Sequence, residues 1–127
     1  MSKSEVLFRG QTIDTGEWIY GDFLQMPEKN LTWIFGHKPT DVMTPVEPKT
    51  VGQYAGIKDK NGAKIYVGDV VRFERLPGEF VLGEVMFDYG MFYVESYYLT
   101  WKNWGEYEWE VVGNVIDDSA MIKESLS

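Results

Sequence analysis

The 127-residue chain has no cysteine and a single histidine, His37. Without thiols there is no disulfide framework, no thiol nucleophile and no cysteine-based zinc or iron–sulfur site. With one imidazole, a histidine-rich metal site cannot be assembled, and no imidazole other than His37 exists for a serine–histidine pair. His37 lies in a Gly-His-Lys-Pro turn and reads as a surface loop residue. Long apolar runs are also missing. Val6, Leu7 and Phe8 are followed at once by Arg9, too short for the ~7–15 apolar residues of a secretory signal. No stretch approaches the ~20 apolar residues of a membrane span. A cytoplasmic protein is expected.

Bases are scarce where acids are plentiful. The net charge is −8, from 20 acids and 12 bases. Residues 79–127 hold only 2 bases against 10 acids and carry the whole imbalance, whereas residues 56–78 are net +2. Duplex DNA binding requires Lys and Arg against several phosphates, which the last third of the chain cannot supply. Phosphate-cradling Gly-rich runs and calcium-loop spacing are absent too. The residues nominate no catalytic, cofactor-binding or metal-ligating group, so the expectation is a protein that is not an enzyme and carries no cofactor.

Aromatic residues are what the chain has in excess: 7 Phe, 5 Trp and 8 Tyr, or 16%. Hydrophobic periodicity is mostly two, in short runs punctuated by Gly, Asn and Asp, which predicts an all-β protein. Strands are expected over 5–10, 17–25 and 31–36. Residues 37–50 hold three of the five prolines and read as an irregular linker. Further strands are expected around Asn61-Gly62, read as a two-residue type I′ hairpin. Others follow over 70–74, 81–87, 91–95 and 109–116, with turns at Gly68-Asp69, Pro77-Gly78 and 88–90. Asp117-Asp118-Ser119 would cap a short C-terminal helix. Two β-units are expected, 1–49 with its linker and 50–127, and the closely spaced short strands suggest a small SH3-like barrel over the second.

The central run from Val51 through Gly52-Gln53-Tyr54-Ala55-Gly56-Ile57-Lys58-Asp59-Lys60-Asn61-Gly62 to Gly68-Asp69-Val70-Val71 resembles the signature of the YopX-like family of phage and prophage proteins. Phe8-Arg9-Gly10 with Gly16-Glu17-Trp18-Ile19-Tyr20-Gly21 is similar to that family's opening, and Glu110–Asp117 to its closing. The resemblance covers nearly the whole chain. It implies an all-β fold with two barrel-like halves in one compact unit and a phage or prophage accessory role in a bacterial cytoplasm. It brings no catalytic residue or cofactor.

Two segments are candidates for binding. Ten of the aromatics fall in residues 86–109, with Glu106, Glu108 and Glu110 alternating with Tyr107, Trp109 and Val111. Tyr97, Tyr98, Trp101, Trp104, Tyr107 and Trp109 are the candidate interaction surface. Core packing, an interface with a copy of the chain or a host or phage protein, and a stacking platform for nucleic acid or sugar are the competing readings. Lys58, Lys60 and Lys64 form an alternative basic patch for nucleic-acid phosphates. A decoy that occupies a host nucleic-acid-binding site is a further possibility, if the acids gather on one face. The expected function is protein interaction or self-assembly.

Overall fold

The computed structural model describes residues 6–37, 40–96 and 99–118. All of its extended structure is antiparallel: β1 (Phe8–Gln11), β2 (Trp18–Met26), β3 (Leu31–Phe35), β4 (Met43–Pro45), β5 (Gly52–Lys58), β6 (Lys64–Tyr66), β7 (Asp69–Leu76), β8 (Glu79–Asp88), β9 (Met91–Ser96), β10 (Thr100–Trp101) and β11 (Glu110–Asn114). The only helical elements among the described residues are three single 3-10 turns. The chain divides into two compact units, the first running to Tyr54 and the second starting at Ala55.

In the first unit the strand order is β4-β3-β2-β1-β5. Its buried residues include Leu7, Ile34, Val46 and Tyr54. The proline-containing segment, expected as an irregular linker, is instead built into this unit. Residues 43–45 form an edge strand on β3, with Phe35 opposite Met43 and Trp33 opposite Pro45. Proline is tolerated there because an edge position does not need its missing N–H. Val46 then donates to the Thr32 carbonyl (3.0 Å) and Glu47 to that of Gln11 (3.0 Å). Pro48 opens a 3-10 turn, where its fixed φ is already suitable. That turn ends on buried Thr50, whose hydroxyl accepts the Gln11 amide (2.9 Å).

In the second unit the order is β10-β9-β8-β7-β11. The end of β5 enters this unit and runs beside β6. Ile65, Val71, Phe73, Val85, Val94, Trp104 and Trp109 form its core. Neither sheet closes, so the barrels expected are open sheets. The physical reason in the second unit is the route from β10 to β11. That segment makes a 3-10 turn over Trp104–Glu106 and covers the core with Trp104 and Trp109 rather than extending a ladder. The expected C-terminal helix lies almost wholly outside the described residues.

One hairpin turn differs from expectation, and another takes the geometry expected of the first. At Asn61-Gly62 only the glycine has positive φ (88°). The Gly62 amide donates to the Asp59 carbonyl (3.0 Å), which makes a four-residue turn rather than type I′. The type I′ geometry occurs at Tyr89-Gly90, where φ is 53° and 77° and Asp88 pairs with Met91. Tyr89 is 94% exposed, so no packing offsets its left-handed backbone, which costs a non-glycine residue roughly 1 kcal/mol. Asn tolerates this region better. Tyr89→Asn is therefore expected to raise unfolding stability by about 0.5–1 kcal/mol, read as a higher urea midpoint at unchanged slope.

Candidate interaction surfaces

The aromatic segment forms a cluster around Phe73 on β7. Trp109 meets this ring edge-on with centroids 4.6 Å apart, Tyr107 lies at 4.9 Å and Trp101 at 5.3 Å. Each indole N–H has an acceptor. Trp109 donates to the Trp104 carbonyl (2.7 Å), Trp104 to the Phe92 carbonyl (3.1 Å) and Trp101 to the Ser96 hydroxyl (3.2 Å). Satisfied N–H groups are what permit such rings to be buried. Trp109 is 1% exposed and Trp104 5%. Of the candidate surface, Trp104 and Trp109 are thus core residues, Trp101 is half-buried and Tyr107 is exposed. Tyr97 and Tyr98 lie outside the described residues. A cleft of about 460 Å³ remains beside Trp101 and Tyr107, bordered by Glu74, Glu106 and Glu108 and by Lys60 and Arg75.

The Lys58–Lys64 hairpin is held together by the acid between its lysines. Asp59 is buried, and its Oδ1 accepts the amides of Asn61 and Ala63, both at 2.9 Å. Its Oδ2 accepts the Val111 amide of β11, also at 2.9 Å. Burial pushes the Asp59 carboxyl up, but the amides of Val111, Ala63 and Asn61, with the Lys60 charge, outweigh it and hold the carboxyl below its ordinary value. Lys58 and Lys60 are exposed and Lys64 is half-buried. Lys60 Nζ is 3.7 Å from Glu110, which also takes Arg72 at 3.1 Å. Part of the positive charge is therefore met within the unit. The Gly68-Asp69 turn is structural as well, with the buried Asp69 carboxylate accepting the Tyr66 amide (2.8 Å).

A third surface has no counterpart among the residues singled out from the sequence. The β2–β3 register sets Met26 opposite Leu31, Leu24 opposite Trp33 and Asp22 opposite Phe35. The β3–β4 register adds Met43 and Pro45 to the same face. Because side chains alternate along a strand, Tyr20, Leu24, Met26, Leu31, Phe35 and Met43 share one face of the sheet. Each leaves 37–48% of its surface open. Asp22 is the acid on that face, and its Oδ1 is 2.9 Å from His37 Nε2. Ile34 and Thr32, on the opposite face, are buried.

The fold defines a class of all-β proteins built from two open antiparallel sheets with loop-borne tryptophans in the second core. A family model described as YopX protein matches residues 7–123, and the chain belongs to that family. It is similar to the crystal structure of protein EF1440 from Enterococcus faecalis, with a TM-score of 0.60 at 17% identity. The likeness covers 94% of this chain and 99% of that one. No curated protein matches the chain. Among the described residues, no helix is long and apolar enough to cross a membrane.

Two carboxylates of the second unit should respond to pH with opposite sign. Asp59 has a lowered value, so its contribution exists above the unfolded value of about 3.9 and disappears as pH falls through the folded one. Asp59→Asn turns an N–H donor toward one of the three amides and is expected to cost about 2 kcal/mol at neutral pH. The gap to the parent chain closes in acid. Glu84 sits opposite Glu95 across β8 and β9. Burial and the Glu95 charge raise its value, so the favourable protonated state is lost as pH rises above about 4.3. Glu84→Gln should gain a few tenths to ~1 kcal/mol at neutral pH and nothing in acid. Urea unfolding across pH tests both.

Proposed function

We propose that this protein is a non-enzymatic protein-interaction module, an accessory protein of a phage or prophage acting in the bacterial cytoplasm. One observation carries the interaction reading: the open apolar face of β2, β3 and β4. The largest apolar patch on a typical monomeric protein is ~300–600 Å² and is often a binding surface. The face also meets the composition that distinguishes interfaces, with aromatic and methionine side chains present and charge sparse. Membership of the YopX family supports the phage context. The absence of a second imidazole and of any thiol supports a non-catalytic role, and His37 is exposed and bound to Asp22.

The interaction surface thereby moves from the aromatic segment to the first unit. Trp104 and Trp109 are occupied in the core, and the remaining cleft is lined by charges of both signs. A photo-reactive residue placed at position 24, in the centre of the face, is expected to yield covalent adducts in cells. The same residue at position 89, on the exposed β8–β9 turn, should yield none. Equal labelling from both positions, or none from position 24, would overturn the assignment.

A further inference from the structure

We propose that the face bearing Tyr20, Leu24, Met26, Leu31, Phe35 and Met43 is covered by the same face of a second copy of this chain. Two sheets would stack about a two-fold axis. The proposal rests on this face being an interaction surface, and it commits to the occupant.

Area, charge and edge geometry favour that occupant. The six side chains leave 37–48% of their surface open. At roughly 200 Å² for a large side chain, they expose on the order of 500 Å² of apolar area. Rim residues such as Trp33 and Pro45 extend this toward the ~800 Å² per partner of a standard interface. An isologous contact needs a surface complementary to itself, which a sheet face of interdigitating aliphatic and aromatic side chains provides. Sheets packed face to face in this way lie ~10 Å apart with strands nearly aligned.

Charge selects where two copies can meet. Each carries a net −8, concentrated in residues 79–127. The cleft of the second unit mixes Glu74, Glu106 and Glu108 with Lys60 and Arg75, so a contact there would have to desolvate charges of both signs, which the apolar face does not require. On the apolar face Asp22 is paired with His37, and Arg9 is buried against the Trp18 ring, 4.5 Å from its centroid. Pairing through the sheet edge is a poorer route. The edge strand β4 has three residues and includes Pro45, features that blunt an edge against strand addition.

The test is sedimentation equilibrium of the full chain from low micromolar to several hundred micromolar, with adduct analysis at position 24. The expected result is a concentration-dependent dimer that tightens with added salt, because screening weakens repulsion between the acidic units. Leu24→Lys and Phe35→Glu should each weaken dimerisation at least tenfold while leaving the unfolding midpoint near the parent value. Tyr107→Lys, in the charged cleft of the second unit, should leave dimerisation unchanged. The position-24 adduct should have twice the chain's mass and join residues of the first unit from both copies. A parent chain monomeric at the highest concentration, or a dimer insensitive to both face substitutions, would overturn the proposal. An adduct to a different protein would sink the second copy and leave the interaction reading standing. No adduct at all would sink both.

Discussion

The carboxylate of Asp59 accepts three backbone amides from two places in the chain. Two of them, from Asn61 and Ala63, shape the turn between β5 and β6. The third, from Val111, belongs to β11. The Lys60 amide makes the reciprocal connection to the Trp109 carbonyl (2.9 Å). One side chain thus fixes a local turn and joins it to the strand that follows the buried tryptophan. Several amides converging on one ionised acceptor are stronger than neutral pairs. Leaving them unpaired after burial would carry the full desolvation cost. The local turn and the long-range closure of the second unit are for this reason parts of one interaction.

From that connection follows the way the second unit covers its core without closing a barrel. β10 has two residues, too few for a long ladder. The segment behind it returns to the core through Trp104 and Trp109, whose indole N–H groups find main-chain carbonyls at Trp104 and Phe92. A large ring removes ~150–250 Å² from water, so two rings replace much of what another pair of strands would cover. The chain's aromatic excess is in large part the means by which a short segment performs this closure.

Much of this architecture was legible in the sequence because it depends on local chemistry. Pro77-Gly78, Gly68-Asp69 and the glycines of the hairpins mark strand ends by the backbone conformations they permit, and periodicity supplies the strands between them. β4 was hidden because prolines argue against strands, and the compensation is tertiary: β3 supplies the partner at an edge. The type I′ assignment missed for a similar reason. Asn61-Gly62 is the strongest local signal for that turn, yet the acceptor demands of Asp59 and the pull of β11 select another. Core and interface readings of the aromatic segment could not be separated in the sequence, because residue type alone does not distinguish a hydrogen-bonded, buried indole from one at an interface. A usable signal for the open face was present. Leu31-Thr32-Trp33-Ile34-Phe35 is apolar at both parities, whereas an antiparallel strand with one solvated face alternates. Non-alternation in such a strand implies that both faces are to be covered.

That criterion sets the two units apart. In β7 the exposed positions after the core residues are Arg72 and Glu74, and Arg72 is engaged by Glu110 and the Phe80 ring. Three of the four exposed positions of β7 are charged, and Leu76 with Phe80 and Phe87 of β8 stays exposed beside them. In β2 and β3 the corresponding positions are Leu24, Met26, Leu31 and Phe35, and the cost of hydrating them persists in an isolated chain. Self-association would remove that cost while keeping the acids of the second unit out of the contact. The uneven distribution of charge and the uneven finish of the two sheets then have one explanation: a chain that repels its copies through one unit and can bury an apolar face through the other has its mode of contact restricted by both.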